Sequence, residues 1–264
     1  MARQPVLICR PGARAKPLVD AVSALGVDVV QGEVMRLEAL EETPDMRSLW
    51  LDFDQFRRVL VVSPFAAECL AEALDRYWPQ LPAGIDYYAV GAATAEALHR
   101  LLGVRVRIPP PEAGEDTSEA LLTLRSLQRL DNERALLVAG EGGRTLLADT
   151  LTERGARMAR LAVYRRLLIP PPPALHQRLS TGDYQALVVS SGEILEHLAR
   201  WCSPAALNQP LIVSSTRLAT LAGELGFRLP VVASGATPAA LAAAVARVRD
   251  PETADIDHDD LEKG

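Results

Sequence analysis

Two stretches of the chain read almost alike: VLVVSPFAAECLAEAL, residues 59–74, and ALVVSSGEILEHLARW, residues 186–201. Each passes from an apolar strand through a serine, Ser63 or Ser190, into a helical pattern. The similarity extends outward. VLICRPGARAKPLVDAVSALGVDVVQGEVMRL from Val6 matches ALLVAGEGGRTLLADTLTERGARMARLAVYRR from Ala135, with Gly26 over Gly155. With the second pair begun at Arg58 and Gln185, the chain reads unit A, unit B, unit A, unit B. Short Val/Ile/Leu-rich runs alternate with helical patterns throughout, the signature of parallel sheets buried on both faces.

Each unit A holds two strands and each unit B about three, so a five-stranded sheet needs one of each. Sequential pairing would divide the chain near residue 130. Crossed pairing would join the first A to the last B and leave the middle B and A as a second lobe. The crossed arrangement is favoured because unit A ends in long extended stretches, DVVQGEVMRLEAL and RMARLAVYRRLLI, that exceed a sheet strand of about five or six residues. Their surplus can form a two-stranded bridge, and IPPPP (169–173) then reads as a stiff return. The expected architecture is α/β: two similar flavodoxin-like parallel-sheet lobes joined by a two-stranded crossover, with a cleft between lobes. Residues 1–36 and 170–248 form one lobe, and 37–169 the other.

The formal charge of −6 sits wholly in the end of the chain. Residues 250–264 carry seven carboxylates against Lys263, so the rest is neutral. That segment, DPETADIDHDDLEKG, has almost no bulky apolar residue to offset its ordering entropy and is expected to be disordered from residue 249 on. A neutral body without a basic stripe makes nucleic acid an unsuited partner. Apolar runs fall far short of the roughly 20 residues of a membrane span, and no secretory signal opens the chain. Cys9, Cys69 and Cys202 are scattered and odd in number, which fits a reducing compartment, the cytoplasm.

Strand ends that lead into helices bring helix N-termini and their N–H groups to one edge. Ser63 and Ser190 stand at equivalent strand ends, Thr94 lies in VGAATAEAL, and GEGGR (140–144) offers a glycine nest with Arg144 as a fork for a carboxylate. Neither G-x-G-x-x-G nor G-x-x-x-x-G-K is present, so no nucleotide is implied. His99, His176, His197 and His258 have no metal-ligand spacing. Lys16 and Lys263 are the only lysines, which leaves little scope for a Schiff base. One asymmetry stands out: Tyr164 in the second unit A lies over Met35 in the first, so a phenol occurs on one side of the repeat only.

The series CRP (9–11), VVS to Ser63, VGAATA around Thr94, SEALL from Ser118, GEGGRTLL through Arg144, VYRR with Tyr164, VVSSG with Ser190 and Ser191, and GATPAAL with Thr237 resembles uroporphyrinogen-III synthase over nearly all of the chain to about residue 248. The resemblance implies two lobes linked by a β-ladder and a substrate, hydroxymethylbilane, a linear tetrapyrrole with eight carboxylates. It implies loss of the terminal hydroxyl as water to give an azafulvenium, attack through the substituted carbon of ring D to a spiro intermediate, and reclosure with that ring inverted. No cofactor or metal takes part. Unassisted closure gives the type I isomer, so orientation is the enzyme's main task. By the same resemblance Tyr164 assists departure of the hydroxyl, a free phenol being protonated at neutral pH with pKa about 10.

Arg10, Ser63, Thr94, Gly142, Arg144, Ser190, Ser191, Ser214 and Thr237 are the expected substrate-binding residues. Cys9, Phe65 and Ala139 depart from the family's threonine, occasional basic residue and arginine. The expected protein is a monomer, with transient contact to the preceding pathway enzyme allowed for. A non-catalytic two-lobed binding protein or sensor for an anionic small molecule is the competing reading, since it needs the same donors.

Overall fold

The computed structural model describes residues 4–12, 15–110 and 117–249. Its strands are β1 (Val6–Cys9), β2 (Val29–Gln31), β3 (Met35–Ala39), β4 (Arg58–Val61), β5 (Asp86–Ala89), β6 (Val106–Arg107), β7 (Arg134–Gly140), β8 (Arg157–Leu168), β9 (Ala186–Val189), β10 (Pro210–Val213) and β11 (Leu229–Val232). The helices are α1 (Ala15–Ser23), α2 (Pro44–Leu51), α3 (Pro64–Tyr77), α4 (Ala92–Leu102), α5 (Ser118–Leu121), α6 (Leu146–Glu153), α7 (Pro173–Thr181), α8 (Gly192–Ala199), α9 (Pro204–Leu207), α10 (Thr216–Glu224) and α11 (Pro238–Arg249).

One sheet has the order β11-β10-β9-β1-β2 and the other β3-β8-β7-β4-β5-β6. The pairings of β1 with β2 and β9, and of β10 with β9 and β11, are all parallel. So are those of β4 with β5 and β7, β5 with β6, and β7 with β8. Counted along its own strands, the first sheet has the order 2-1-3-4-5 of flavodoxin-like folds. The second repeats that order when counted from β7, with β3 added beside β8. Compactness divides the chain into one unit containing the residues up to Arg36 and from Leu167 on, and another of Leu37–Arg166.

Both sheets are covered on both faces, as the continuous apolar strands require. In the first unit Leu7, Cys9, Leu187, Val189, Leu211 and Val213 pack with Leu175, Ile194 and Leu198. The alternate residues Val6, Ile8, Ala186, Val188 and Ile212 pack with α1 and α11 through Leu18, Val22, Leu241 and Val245. In the second unit Val59, Val61, Leu136 and Val138 face Leu70, Leu74 and Leu98 of α3 and α4. There Leu60, Ala135 and Leu137 face Leu121, Leu147 and Leu151.

The repeat carries its turns with it. Gly26 and Gly155, aligned in the two A units, have φ of +70° and +96°, a left-handed backbone that glycine adopts without a Cβ penalty. The long stretch DVVQGEVMRLEAL is not one strand, however. It breaks between β2 and β3 at Gly32, where the site of a missing Cβ is filled by the Leu175 side chain. Its counterpart RMARLAVYRRLL stays intact as the 12-residue β8. The stretch TSEALLTL forms only a short helix, α5 ending at Leu121 after its cap by Thr117. The acidic segment 250–264 lies outside the described residues, and α11 extends to Arg249.

Candidate active site

Register places the candidate residues in rows. In the first unit Cys9 pairs with Val189, Val189 with Val213, and Val213 with Val232. The next residues on three adjacent strands are therefore Arg10, Ser190 and Ser214, all half-buried. This is the C-terminal edge of a parallel sheet, where open α/β folds receive their ligands.

The serines behind this edge do different work. Ser215, not Ser214, caps α10, its Oγ accepting the Leu218 N–H at 3.4 Å. Ser191, not Ser190, is the N-cap of α8, and its side chain makes no capping hydrogen bond. Thr237 is exposed and caps α11, with Oγ1 accepting from Ala240 N at 3.2 Å. The first turn of α8 therefore has N–H donors that its own cap side chain does not occupy.

In the second unit Val61 pairs with Ala89 and with Val138. Two residues further along these strands stand Ser63, Gly91 and Gly140, and Gly140 is paired with Tyr164. The β7–β8 register shifts at this point: Ala139 is opposite Ala162, yet Gly140 is opposite Tyr164. Val163 is the extra residue of a β-bulge. Neighbours in a regular strand point to opposite faces, whereas Val163 and Tyr164 here join the same buried cluster. The bulge thus turns the phenol toward the α3 side of the sheet.

There Tyr164 is 8% exposed, and its hydroxyl is hydrogen-bonded to Ser63 Oγ at 3.1 Å. Ser63 Oγ also accepts the Ala66 N–H at 3.2 Å, capping α3. Phe65 meets the Tyr164 ring edge to face, with centroids 5.3 Å apart. On Gly140 a Cβ would stand 2.6 Å from Tyr164 Cζ. Tyr164 accepts the Glu141 N–H on its backbone carbonyl at 2.7 Å.

The other expected residues of the second unit sit in α4 and in the loop between β7 and α6. Thr94 is one turn into α4, whose N-cap is Gly91, and is only 4% exposed. Arg144 is exposed and reaches Glu119 Oε1 at 3.3 Å. Gly142 has φ of +70° with open space where a Cβ would be. The departures Cys9 and Ala139 are buried. Burial, with Cys202 nearby, pushes the Cys9 thiol up to about 12. Among the described residues no group of three or more His, Cys, Asp or Glu side chains could hold a metal ion.

Sequence reading had set Ser63, Phe65, Gly140 and Tyr164 in separate roles, and the structure makes them one group. The apolar pair Val163-Tyr164, which breaks strand alternation, was the signal for the bulge.

Comparison with known proteins follows the same lines. Residues 16–243 match the family model described as Uroporphyrinogen-III synthase HemD. The uroporphyrinogen-III synthase of Escherichia coli (strain K12) is 33% identical over 245 residues, covering 89% of this chain and 97% of that protein. That of Salmonella typhimurium (strain LT2) is 34% identical over 242 residues, with the same coverage of 89% and 97%. Among solved structures, a mutant uroporphyrinogen III synthase from the extremely thermophilic bacterium Thermus thermophilus has a TM-score of 0.58 at 22% identity, covering 95% of this chain and 99% of its own. The uroporphyrinogen-III synthetase of Helicobacter pylori 26695 has a TM-score of 0.54 at 14% identity, covering 94% and 99%. At those identities the two structures bear on the fold alone.

Proposed function

We propose that this chain, which belongs to the uroporphyrinogen-III synthase family, closes hydroxymethylbilane to uroporphyrinogen III with Tyr164 as its proton donor. Membership makes it an enzyme of porphyrin biosynthesis, a cyclising lyase. The observation that carries the role of Tyr164 is its bulged position at the C-terminal edge of the second sheet, hydrogen-bonded through its phenol oxygen to Ser63.

The chemistry is redox-neutral. Tyr164 gives its proton to the departing hydroxyl as the methylene C–O bond breaks, and the electron pair leaves with water. The pyrrole nitrogen supplies electrons to the methylene carbon, giving the azafulvenium. Attack by the substituted carbon of ring D forms the spiro intermediate, and fragmentation and reclosure invert that ring. The proton finally released from the ring D carbon that is joined restores the phenol. General-acid help of this kind is worth about 10² to 10⁴-fold.

Substrate carboxylates are held, in this reading, by hydroxyl, amide and guanidinium donors. Arg10, Ser190, Ser191 and Ser214 at the first sheet's edge are the strongest candidates, supported by their shared row and by the uncapped start of α8. Thr94, Gly142, Arg144 and Thr237 are secondary, since burial, a partner or a capping bond already engages three of them. Many neutral hydrogen bonds of about 0.5 to 1.5 kcal/mol each then share the load. The reading includes a monomer, and a reducing compartment that the free thiols of Cys9, Cys69 and Cys202 suit.

The test is conversion of hydroxymethylbilane by the purified protein, with the porphyrin isomers resolved after oxidation. A product that is mainly type III is expected. The type I product of a protein-free control would leave only a binding protein.

A further inference from the structure

We infer that Ser63 is a positioning residue for the Tyr164 phenol, not a contact for a substrate carboxylate. This rests on the reading of Tyr164 as the proton donor. The Ser63 Oγ is hydrogen-bonded to the Tyr164 phenol oxygen at 3.1 Å. One of its lone pairs is engaged by the Ala66 N–H at 3.2 Å. The hydroxyl that the repeat sets at the end of β4 is thus engaged both by the phenol and by its own helix.

The Ser63 and Tyr164 hydroxyls share one hydrogen bond at 3.1 Å, and once Tyr164 has passed its proton to the leaving oxygen, the Ser63 O–H is the donor that remains in that bond. An N–H at the start of the 14-residue helix α3 polarises Ser63, which then draws electron density from the phenol oxygen as that oxygen loses its proton. Hydrogen bonds in a chain reinforce one another in this way, and the N-terminal end of a helix favours developing negative charge. Negative charge on the phenol oxygen is what proton donation creates. Ser63 therefore steadies Tyr164 more as the proton leaves than before, which places its effect in the rate of the chemical step.

The two serines of the repeated corner then differ in kind. Ser63 is followed by Pro64 and Phe65 and caps its own helix, while its counterpart Ser190 is followed by Ser191, whose side chain leaves α8 uncapped. One corner serves the proton donor, and the other has no capping bond from its serine side chain.

A double-mutant cycle with the full-length enzyme tests this. Ser63→Gly removes the hydroxyl, and glycine is tolerated at helix N-caps. It is expected to lower kcat about two- to tenfold, as for one neutral hydrogen bond, with KM unchanged. In a Tyr164→Phe background the same change should have no further effect, because the partner oxygen is gone. Ser63→Thr, which keeps Oγ, should retain the wild-type rate. Equal losses in both backgrounds, or a rise in KM with kcat intact, would overturn the inference while leaving Tyr164 as donor. Full activity of Tyr164→Phe alone would remove the donor and this inference with it.

Discussion

Gly140 lies against the ring of Tyr164 so closely that a Cβ would stand 2.6 Å from Cζ and 3.0 Å from the phenol oxygen. The first glycine of GEGGR is therefore a seat for the tyrosine before it is part of any anion nest. Gly140→Ala should cost about 1–3 kcal/mol by overpacking. It should also lower turnover about 10²-fold, since a misplacement near 1 Å can do so. Gly223→Ala is the control: it lies in α10 with no neighbour within 4 Å of the new Cβ, so about 0.5–1 kcal/mol of added stability is expected. Denaturant midpoints and kcat for both variants check this.

Capping serines and substrate serines should separate by phenotype. Ser203 accepts the Ala206 N–H at 3.2 Å, so Ser203→Ala should lose about 1 kcal/mol of stability with KM unaltered. Ser191 makes no such bond, so Ser191→Ala should leave the melting temperature nearly in place and raise KM by about tenfold or less. A melting loss for Ser191→Ala as large as that for Ser203→Ala would place its side chain in capping.

Buried acids set the alkaline limit. Desolvation pushes Cys9 and Cys202 up to about 12 and Tyr87 up to about 12. It also raises Tyr184, whose hydroxyl donates to the Ala206 carbonyl at 2.9 Å. Below about pH 7.5 all are protonated folded or unfolded and contribute no pH dependence. Above it the unfolded chain releases protons that the folded chain keeps, so stability falls as pH rises toward 12. Urea midpoints at pH 7, 9 and 10.5 should decline in that order, and thiol reagents at pH 8 should react with Cys9 only on unfolding.

The parallel α/β class was legible because its evidence is local and repeated: apolar strand, small residue, helix, and glycines such as Gly26 and Gly155 where the backbone must turn left-handed. What escaped reading depends on contacts distant in sequence. The break after β2 is made at Gly32 by Leu175, more than a hundred residues away. The grouping of Ser63, Phe65, Gly140 and Tyr164 needs the β7–β8 bulge and the β4–β7 register together. At the SSG and SST corners, sequence alone could not separate the strand's last hydroxyl from the helix's first, and the caps proved to be Ser191 and Ser215.

The most direct test of the account is Tyr164→Phe, which removes one oxygen from a ring that stays seated against Gly140 and Phe65. The two quantities to measure are the single-turnover rate with hydroxymethylbilane and the ratio of type III to type I product. The account predicts a folded protein whose rate falls by about 10²-fold and whose product shifts toward type I as unprocessed substrate closes alone. An unchanged rate and an unchanged isomer ratio would contradict it and leave Tyr164 a packing residue.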